Sequence, residues 1–175
     1  METNIHRGRE SKKFLISDSH LGHMKLCEYK NRPLNFTELI LDRLMDARKS
    51  GLILSDDTFY HLGDVCMGRD EYWNQALVSR IPCPKFLIRG NHDKKSEKKY
   101  IEYGWTGVFN DVTIGQLLLS HYPLPKSGRH SRNIHGHSHG DAHRDEEHCS
   151  FYDPEYHKDI SPELMGYGVL NLKNL

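Results

Sequence analysis

Five short polar clusters carry the residues of this sequence best suited to chemistry: Asp18-Ser19-His20, Gly63-Asp64, Gly90-Asn91-His92-Asp93, Ser120-His121 and Gly136-His137-Ser138-His139. Each holds an oxygen or nitrogen donor able to bind a cation and none holds a cysteine, so the ligand set is hard to borderline. Thirteen histidines among 175 residues point the same way, because a neutral imidazole can ligate a metal or pass a proton. Taken singly, the clusters have ordinary structural readings. Asp18-x-His20 suits an Asx turn, Gly63-Asp64 is a common turn dipeptide, and Asn91 tolerates a left-handed turn. A lone His121 at a strand end is more often a satisfied side chain than a ligand. Only Gly-His-x-His is suggestive by itself, since imidazoles two residues apart in an extended segment project to the same side. The joint occurrence of the five carries the reading.

The elements that must position them are short. Apolar runs from Lys13 to Ser17, Thr58 to Leu62 and Lys85 to Arg89 end in the first three clusters, as buried strands do when their carboxyl ends open into loops. Between them the apolar spacing predicts a helix from Phe36 to Lys49, capped by Asn35 or Thr37 and followed by Gly51. A weaker helix from Glu71 to Ser79 stops before Pro82. This alternation predicts parallel strands joined by crossovers. Val108 to Thr113 and Gln116 to Ser120 flank Ile114-Gly115 as a hairpin, which makes the second half more antiparallel, and Tyr167 to Leu172 reads as a closing strand. A mixed α/β fold in a single domain, residues 1–175, is expected, with its site outside the carboxyl ends of the strands.

Composition narrows the class. Twenty-four basic against twenty-four acidic residues give zero formal charge, hence no long-range field of the kind a nucleic-acid coat protein or membrane-surface binder uses. The apolar runs are far shorter than the roughly 20 residues of a membrane span, and Met1 to Lys13 lacks the apolar stretch of a secretory signal. A cytoplasmic location is therefore expected. Cys27, Cys66, Cys83 and Cys149 form no Cys-x-x-Cys pair and read as reduced. Lys94 to Lys99 reads as a solvated helical face. The stretch from Gly140 to Leu175 is the least informative: Asp141 to Glu147 is charged and loop-like, and substrate selection is the role left for this part of the chain.

The clusters in their order, Asp-x-His, Gly-Asp, Gly-Asn-His-Asp, a later His and Gly-His-x-His, resemble the calcineurin-like metallophosphoesterase superfamily from about Lys13 to His139. Ser17-Asp18-Ser19-His20-Leu21-Gly22-His23 with Asn31-Arg32-Pro33 resembles its small single-domain bacterial and phage-type members. The resemblance implies a four-layer αββα sandwich, two mixed β-sheets flanked by helices. It also implies a dinuclear metal centre at the strand ends. Asp18, His20, Asp64 and His139 would hold one metal and Asp64, Asn91, His121 and His137 the other, with Asp64 bridging and His92 as the catalytic histidine. Val65-Cys66-Met67-Gly68 stands where protein serine/threonine phosphatases of the superfamily carry Asp-Arg-Gly, which argues against that activity.

Chemically, two divalent cations bring four positive charges against the two of Asp18 and Asp64. The remaining excess suits a phosphate and a metal-bridging hydroxide formed at neutral pH. His92 would then protonate the leaving group. Asp93 is expected to orient a neighbouring site residue, to contact substrate or to cap the following helix, while His23 and Arg32 are candidate phosphate contacts. His135 is a candidate neighbour of the ligands. His6, His61, His130, His143, His148 and His157 read as ordinary surface or core residues. The expected activity is metal-dependent hydrolysis of a phosphomonoester or phosphodiester. The substrate would be a nucleotide, another small molecule or a nucleic-acid end, with no membrane and no required protein partner. The expected cofactors are two divalent ions, Mn²⁺ first, with Fe, Ni²⁺, Co²⁺ or Zn²⁺ as alternatives. A mononuclear hydrolase and an inactive metal-binding scaffold of the same fold are the competing readings.

Overall fold

The computed structural model of the chain describes residues 9–141 and 150–175. His6, His143, His148, Cys149 and all but Asp141 of the expected charged loop lie outside them. Among the described residues, nine strands form two sheets. The first has the order β4-β3-β2-β1-β9, from Gly107–Phe109 (β4), Lys85–Ile88 (β3), Thr58–His61 (β2), Lys13–Ile16 (β1) and Leu170–Asn171 (β9). Its strands pair in parallel except β9, which runs antiparallel to β1. The second has the order β5-β6-β7-β8, from Asp111–Ile114 (β5), Leu117–Ser120 (β6), Arg132–His135 (β7) and His157–Asp159 (β8). Here β5 and β6 are the antiparallel pair, while β6, β7 and β8 are parallel.

Alternation along the strands builds two apolar layers. Phe14, Ile16, Phe59 and Leu87 face the layer beneath the helices. They meet Phe36, Ile40, Leu41 and Leu44 of α2 (Phe36–Lys49), Leu77 and Val78 of α3 (Asp70–Val78) and Tyr100 of α4 (Glu97–Glu102). Leu15, Tyr60 and Ile88 point the other way, against Leu119, Ile134 and Ile160 of the second half. Among the described residues, two short helices, α1 (Leu26–Tyr29) and α5 (Pro162–Met165), lie in the β1–β2 and β8–β9 connections. Two mixed sheets flanked by helices result, the metallophosphoesterase architecture. No helix among the described residues is long and apolar enough to cross a membrane. Cys27, Cys66 and Cys83 are free thiols.

Three expectations need correction. Val108 to Thr113 is not one strand: it breaks at Asn110, so that Val108-Phe109 finishes the edge of the first sheet and Asp111 begins the second. Periodicity cannot detect that corner, because both halves are strand-like and only the partner changes. The second half is also mixed rather than mainly antiparallel. The expected closing strand shrinks to Leu170-Asn171, since Tyr167 takes a left-handed conformation with φ 63°.

Leu15 is fully buried between the sheets. Leu15→Ala is expected to cost about 2–5 kcal/mol of stability, read as a lowered urea midpoint with an unchanged slope. A loss below about 1 kcal/mol would contradict a packed inter-sheet layer.

Candidate metal centre

All five clusters fall just beyond the carboxyl ends of β1, β2, β3, β6 and β7. The loops after β1 and β2 run side by side, with the Asp18, His20 and Leu21 N–H groups donating to the carbonyls of Gly63, Asp64 and Val65 at 3.0, 3.0 and 2.9 Å. The second sheet meets them there: the His137 N–H donates to Asp18 Oδ2 at 3.0 Å, and His121 Nδ1 lies 2.8 Å from the Leu62 carbonyl. Two glycines permit this approach. A Cβ on Gly136 would overlap Ser17 and Asp18 Oδ2, and one on Gly90 would overlap the Asp64 carboxylate. Asp18, His20, Asp64, His137 and His139 all have φ between 43° and 64°. Left-handed backbone is uncommon outside glycine, and its concentration in these loops is strain of the kind functional sites retain.

Three groups of donor atoms converge: Asp18, His20 and His139; His20, Asp64 and His92; and Asp18, Asp64 and His121. Asp64 Oδ2 lies 3.4 Å from His20 Nε2, 3.6 Å from His121 Nε2 and 3.9 Å from His92 Nε2. Asp18 Oδ1 lies 3.8 Å from His20 Nε2 and 3.7 Å from His139 Nε2. Atoms about 2.1 Å from a shared cation sit roughly 3.0–3.4 Å apart at octahedral to tetrahedral angles, so the cluster is close to coordination spacing. Among the described residues, Asp18 Oδ1 and both ring nitrogens of His20 are buried and make no hydrogen bond. Buried polar atoms of this kind require a partner, and a cation fits these.

A carbonyl only accepts, so His121 directs an Nδ1 proton toward Leu62, and its Nε2 faces Asp64 Oδ2 at 3.6 Å and Asn91 Oδ1 at 3.1 Å. Burial pushes the Asp18 carboxyl up to about 7, with neighbouring Asp64 adding to the rise and His139 opposing it. Burial likewise drives His20 well below the usual imidazole range, helped by His139 and Arg32. A carboxylate that resists ionising beside neutral imidazoles is a site short of positive charge.

The remaining expected site residues divide. His137 packs its ring at an angle against Tyr122 and edge-on against His121, at centroid distances of 4.4 and 5.1 Å, but its ring nitrogens do not join the three tight groups. Asn91 is exposed and reaches the site through His121. The His92 side chain is 31% exposed on the open side, and its backbone N–H donates to Asp64 Oδ1 at 2.8 Å. His23 is half-buried, with its ring 5.6 Å from His20 and 6.4 Å from His92.

Arg32 and Asp93 are not placed as substrate contacts. The Arg32 guanidinium is buried and spent on Glu163 Oε1 at 2.7 Å and on the Ser19 and Asp18 carbonyls at 3.2 and 2.8 Å. Asp93 is buried and accepts the N–H groups of Asp64, Val65 and Gly90 at 2.7, 3.2 and 2.9 Å, binding two ligand loops together. It does not cap the next helix, whose N-cap is Ser96. Burial pushes Asp93 up to about 6, with Asp64 adding to the rise. His135 is buried beside the loop, with Nδ1 2.8 Å from the Gly136 carbonyl. His61 is a core residue whose Nε2 lies 2.7 Å from Ser19 Oγ. Glu163 escapes sequence reasoning altogether: its Oε1 lies 3.0 Å from His139 Nδ1, yet no spacing ties it to that loop. Burial would raise the Glu163 carboxyl, but hydrogen bonds from His139 and Arg32 hold it at about 2.

Strand-end loops from two mixed sheets, closing on a buried Asp/His cluster, define a metallophosphoesterase. The chain belongs to the calcineurin-like phosphoesterase family, whose sequence model matches residues 12–163; the family binds divalent metals and acts on phosphoesters. An uncharacterized protein of Methanocaldococcus jannaschii is 28% identical over 167 residues, covering 91% of this chain and 86% of its own. The gene 66 protein of Mycobacterium phage L5 is 28% identical over 164 residues, covering 74% and 78%. A solved protein of unknown function from Aquifex aeolicus shares the fold, with a TM-score of 0.68 and 23% identity over 94% of this chain and 97% of that one.

Folded and metal-free, Asp18 keeps its proton to about pH 7, whereas the unfolded chain releases it near 3.8. Between those values the folded state binds more protons, so this group makes the metal-free protein less stable as pH rises. Asp18→Asn is therefore expected to melt a few degrees higher than wild type at pH 8 without metal, and to lose at least half of the wild-type stabilisation by Mn²⁺. A variant that melts lower without metal yet keeps the full Mn²⁺ shift would contradict this electrostatic picture. Differential scanning calorimetry reads both.

Proposed function

We propose that this chain is a hydrolase of phosphomonoesters or phosphodiesters with a dinuclear centre. Asp18, His20, His139 and Asp64 would hold one divalent cation, and Asp64, Asn91, His121 and His137 the other. The observation that supports this most directly is the position of Asp64 Oδ2, 3.6 Å from Nε2 of His121 and 3.4 Å from the unpartnered Nε2 of His20. When bound, two cations would supply Lewis acidity toward phosphate oxygens and a water acidic enough to serve as nucleophile at neutral pH. Mn²⁺ is the first metal to test, with Fe, Ni²⁺, Co²⁺ and Zn²⁺ as alternatives.

The chain's own residues do the rest. Asp18 and Asp64 contribute two negative charges and the imidazoles none, which leaves the loaded site positive enough to receive an anionic phosphate. Asp93 and the Gly90 backbone hold the loop that carries His92 against Asp64. His92, whose side chain is 31% exposed, would give a proton to the leaving alkoxide. His23 stands beside it as the candidate donor to a phosphate oxygen. Arg32 and Asp93 act by holding the loops.

The test is turnover. Purified protein with Mn²⁺ is expected to cleave p-nitrophenyl phosphate or its bis ester, and His92→Ala to lower kcat by about 10²–10⁴-fold at unchanged metal content. Stoichiometric metal with no cleavage of either ester would contradict hydrolysis and favour the scaffold. Comparing the two esters also decides between monoesterase and diesterase action.

A further inference from the structure

The C-terminal part of the chain reaches the His139 loop through the Ser161 hydroxyl, which accepts the His139 N–H at 3.2 Å, and through the Glu163 carboxylate. Glu163, in the first turn of α5, places Oε1 2.7 Å from Arg32 Nε and 3.0 Å from His139 Nδ1. The same guanidinium donates through its two terminal nitrogens to the Ser19 and Asp18 carbonyls, at 3.2 and 2.8 Å. Phe36 and Tyr167 pack against it, with ring centroids 5.0 and 6.0 Å from Cζ. One carboxylate oxygen thus joins the left-handed turn that carries Asp18 and His20 to the His139 loop of the other sheet.

The chemistry of that joint is directional. A guanidinium has donors only, so the Arg32 terminal nitrogen 3.4 Å from His139 Nδ1 competes for an imidazole lone pair. A carboxylate has acceptors only, and its contact is the shorter one, so it draws the proton to Nδ1. His139 Nε2 is then bare, 3.7 Å from an Asp18 Oδ1 that makes no hydrogen bond. We infer that Glu163, held in place by Arg32, is the positioning residue that fixes the Nδ1-protonated tautomer and ring orientation of His139, and thereby sets cation affinity in the Asp18–His20–His139 half of the site. The affinity part rests on the proposed metal-dependent function; the tautomer part does not.

The experiment compares the full-length wild type with Glu163→Ala and Glu163→Gln, the latter keeping shape and an acceptor. Long-range ¹H–¹⁵N spectra of the metal-free proteins read the tautomer. His139 is expected in the Nδ1–H form in wild type, to populate the Nε2–H form in Glu163→Ala, and to be largely restored in Glu163→Gln. Mn²⁺ titration is expected to show one of two ions bound about 10–100-fold more weakly in Glu163→Ala, less so in Glu163→Gln, with the other ion unaffected. An unchanged His139 tautomer in a folded Glu163→Ala protein would overturn the inference, as would equal weakening of both ions. Wild-type protein that binds no Mn²⁺ would sink the proposed function instead, and the spectra alone would then decide the positioning role. Should Glu163→Ala fail to fold, the same spectra on Glu163→Gln at fixed pH decide: a minor Nε2–H fraction absent from wild type is expected, because a neutral acceptor holds the proton less firmly, and a spectrum identical to wild type would overturn the inference.

Discussion

Two buried carboxylates faced by imidazole lone pairs form the constraint on which the rest of this structure depends. Asp18 and Asp64 point oxygens at His20, His121 and His139, all within 3.4–3.8 Å. Among the described residues, Asp18 Oδ1 and both ring nitrogens of His20 make no hydrogen bond there; carboxylate oxygens facing ring lone pairs in a desolvated pocket repel one another, and burying such groups without a partner is costly. Only positive charge between them turns that repulsion into attraction. The raised Asp18 and depressed His20 proton affinities express the same shortage from the side of the protein.

Holding such a cluster takes rigid support, and the fold supplies it by bringing the carboxyl ends of five strands from two sheets to one place. Packing between the sheets, through residues such as Leu15 and Ile134, aligns the loops. The close approaches at Gly90 and Gly136 then leave no room for another residue type. Five ligand candidates in left-handed backbone add local strain that the inter-sheet packing must offset. Around them, groups that never need to meet substrate do the holding: Asp93 across the β2 and β3 loops, the Leu62 carbonyl on His121, and Arg32 with Glu163 on the opposite side.

Much of this was legible in the sequence, for physical reasons. Apolar runs that end in Asp, Asn, Gly or His announce strand ends with polar loops, so β1, β2 and β3 and their clusters can be read directly, and α2 follows from its 3.6-residue period. Residue type alone cannot say whether a charged side chain faces solvent or backbone. Arg32 looks like a phosphate contact until its guanidinium is seen filled by carbonyls, and Asp93 looks like a helix cap until its oxygens are seen accepting from three loop N–H groups. Glu163 was invisible because its partner is 24 residues away and the contact exists only once both sheets are assembled. The break at Asn110 was invisible because a strand that changes sheets keeps its local pattern.

Locating the cations is the most direct test of whether this pocket is built for two of them sharing Asp64. Anomalous diffraction from crystals grown with Mn²⁺ is expected to show two peaks, one on the His20–His139 side and one on the His121–His137 side, with the Asp64 carboxylate between them. A single peak, or peaks out of reach of Asp64, would contradict it.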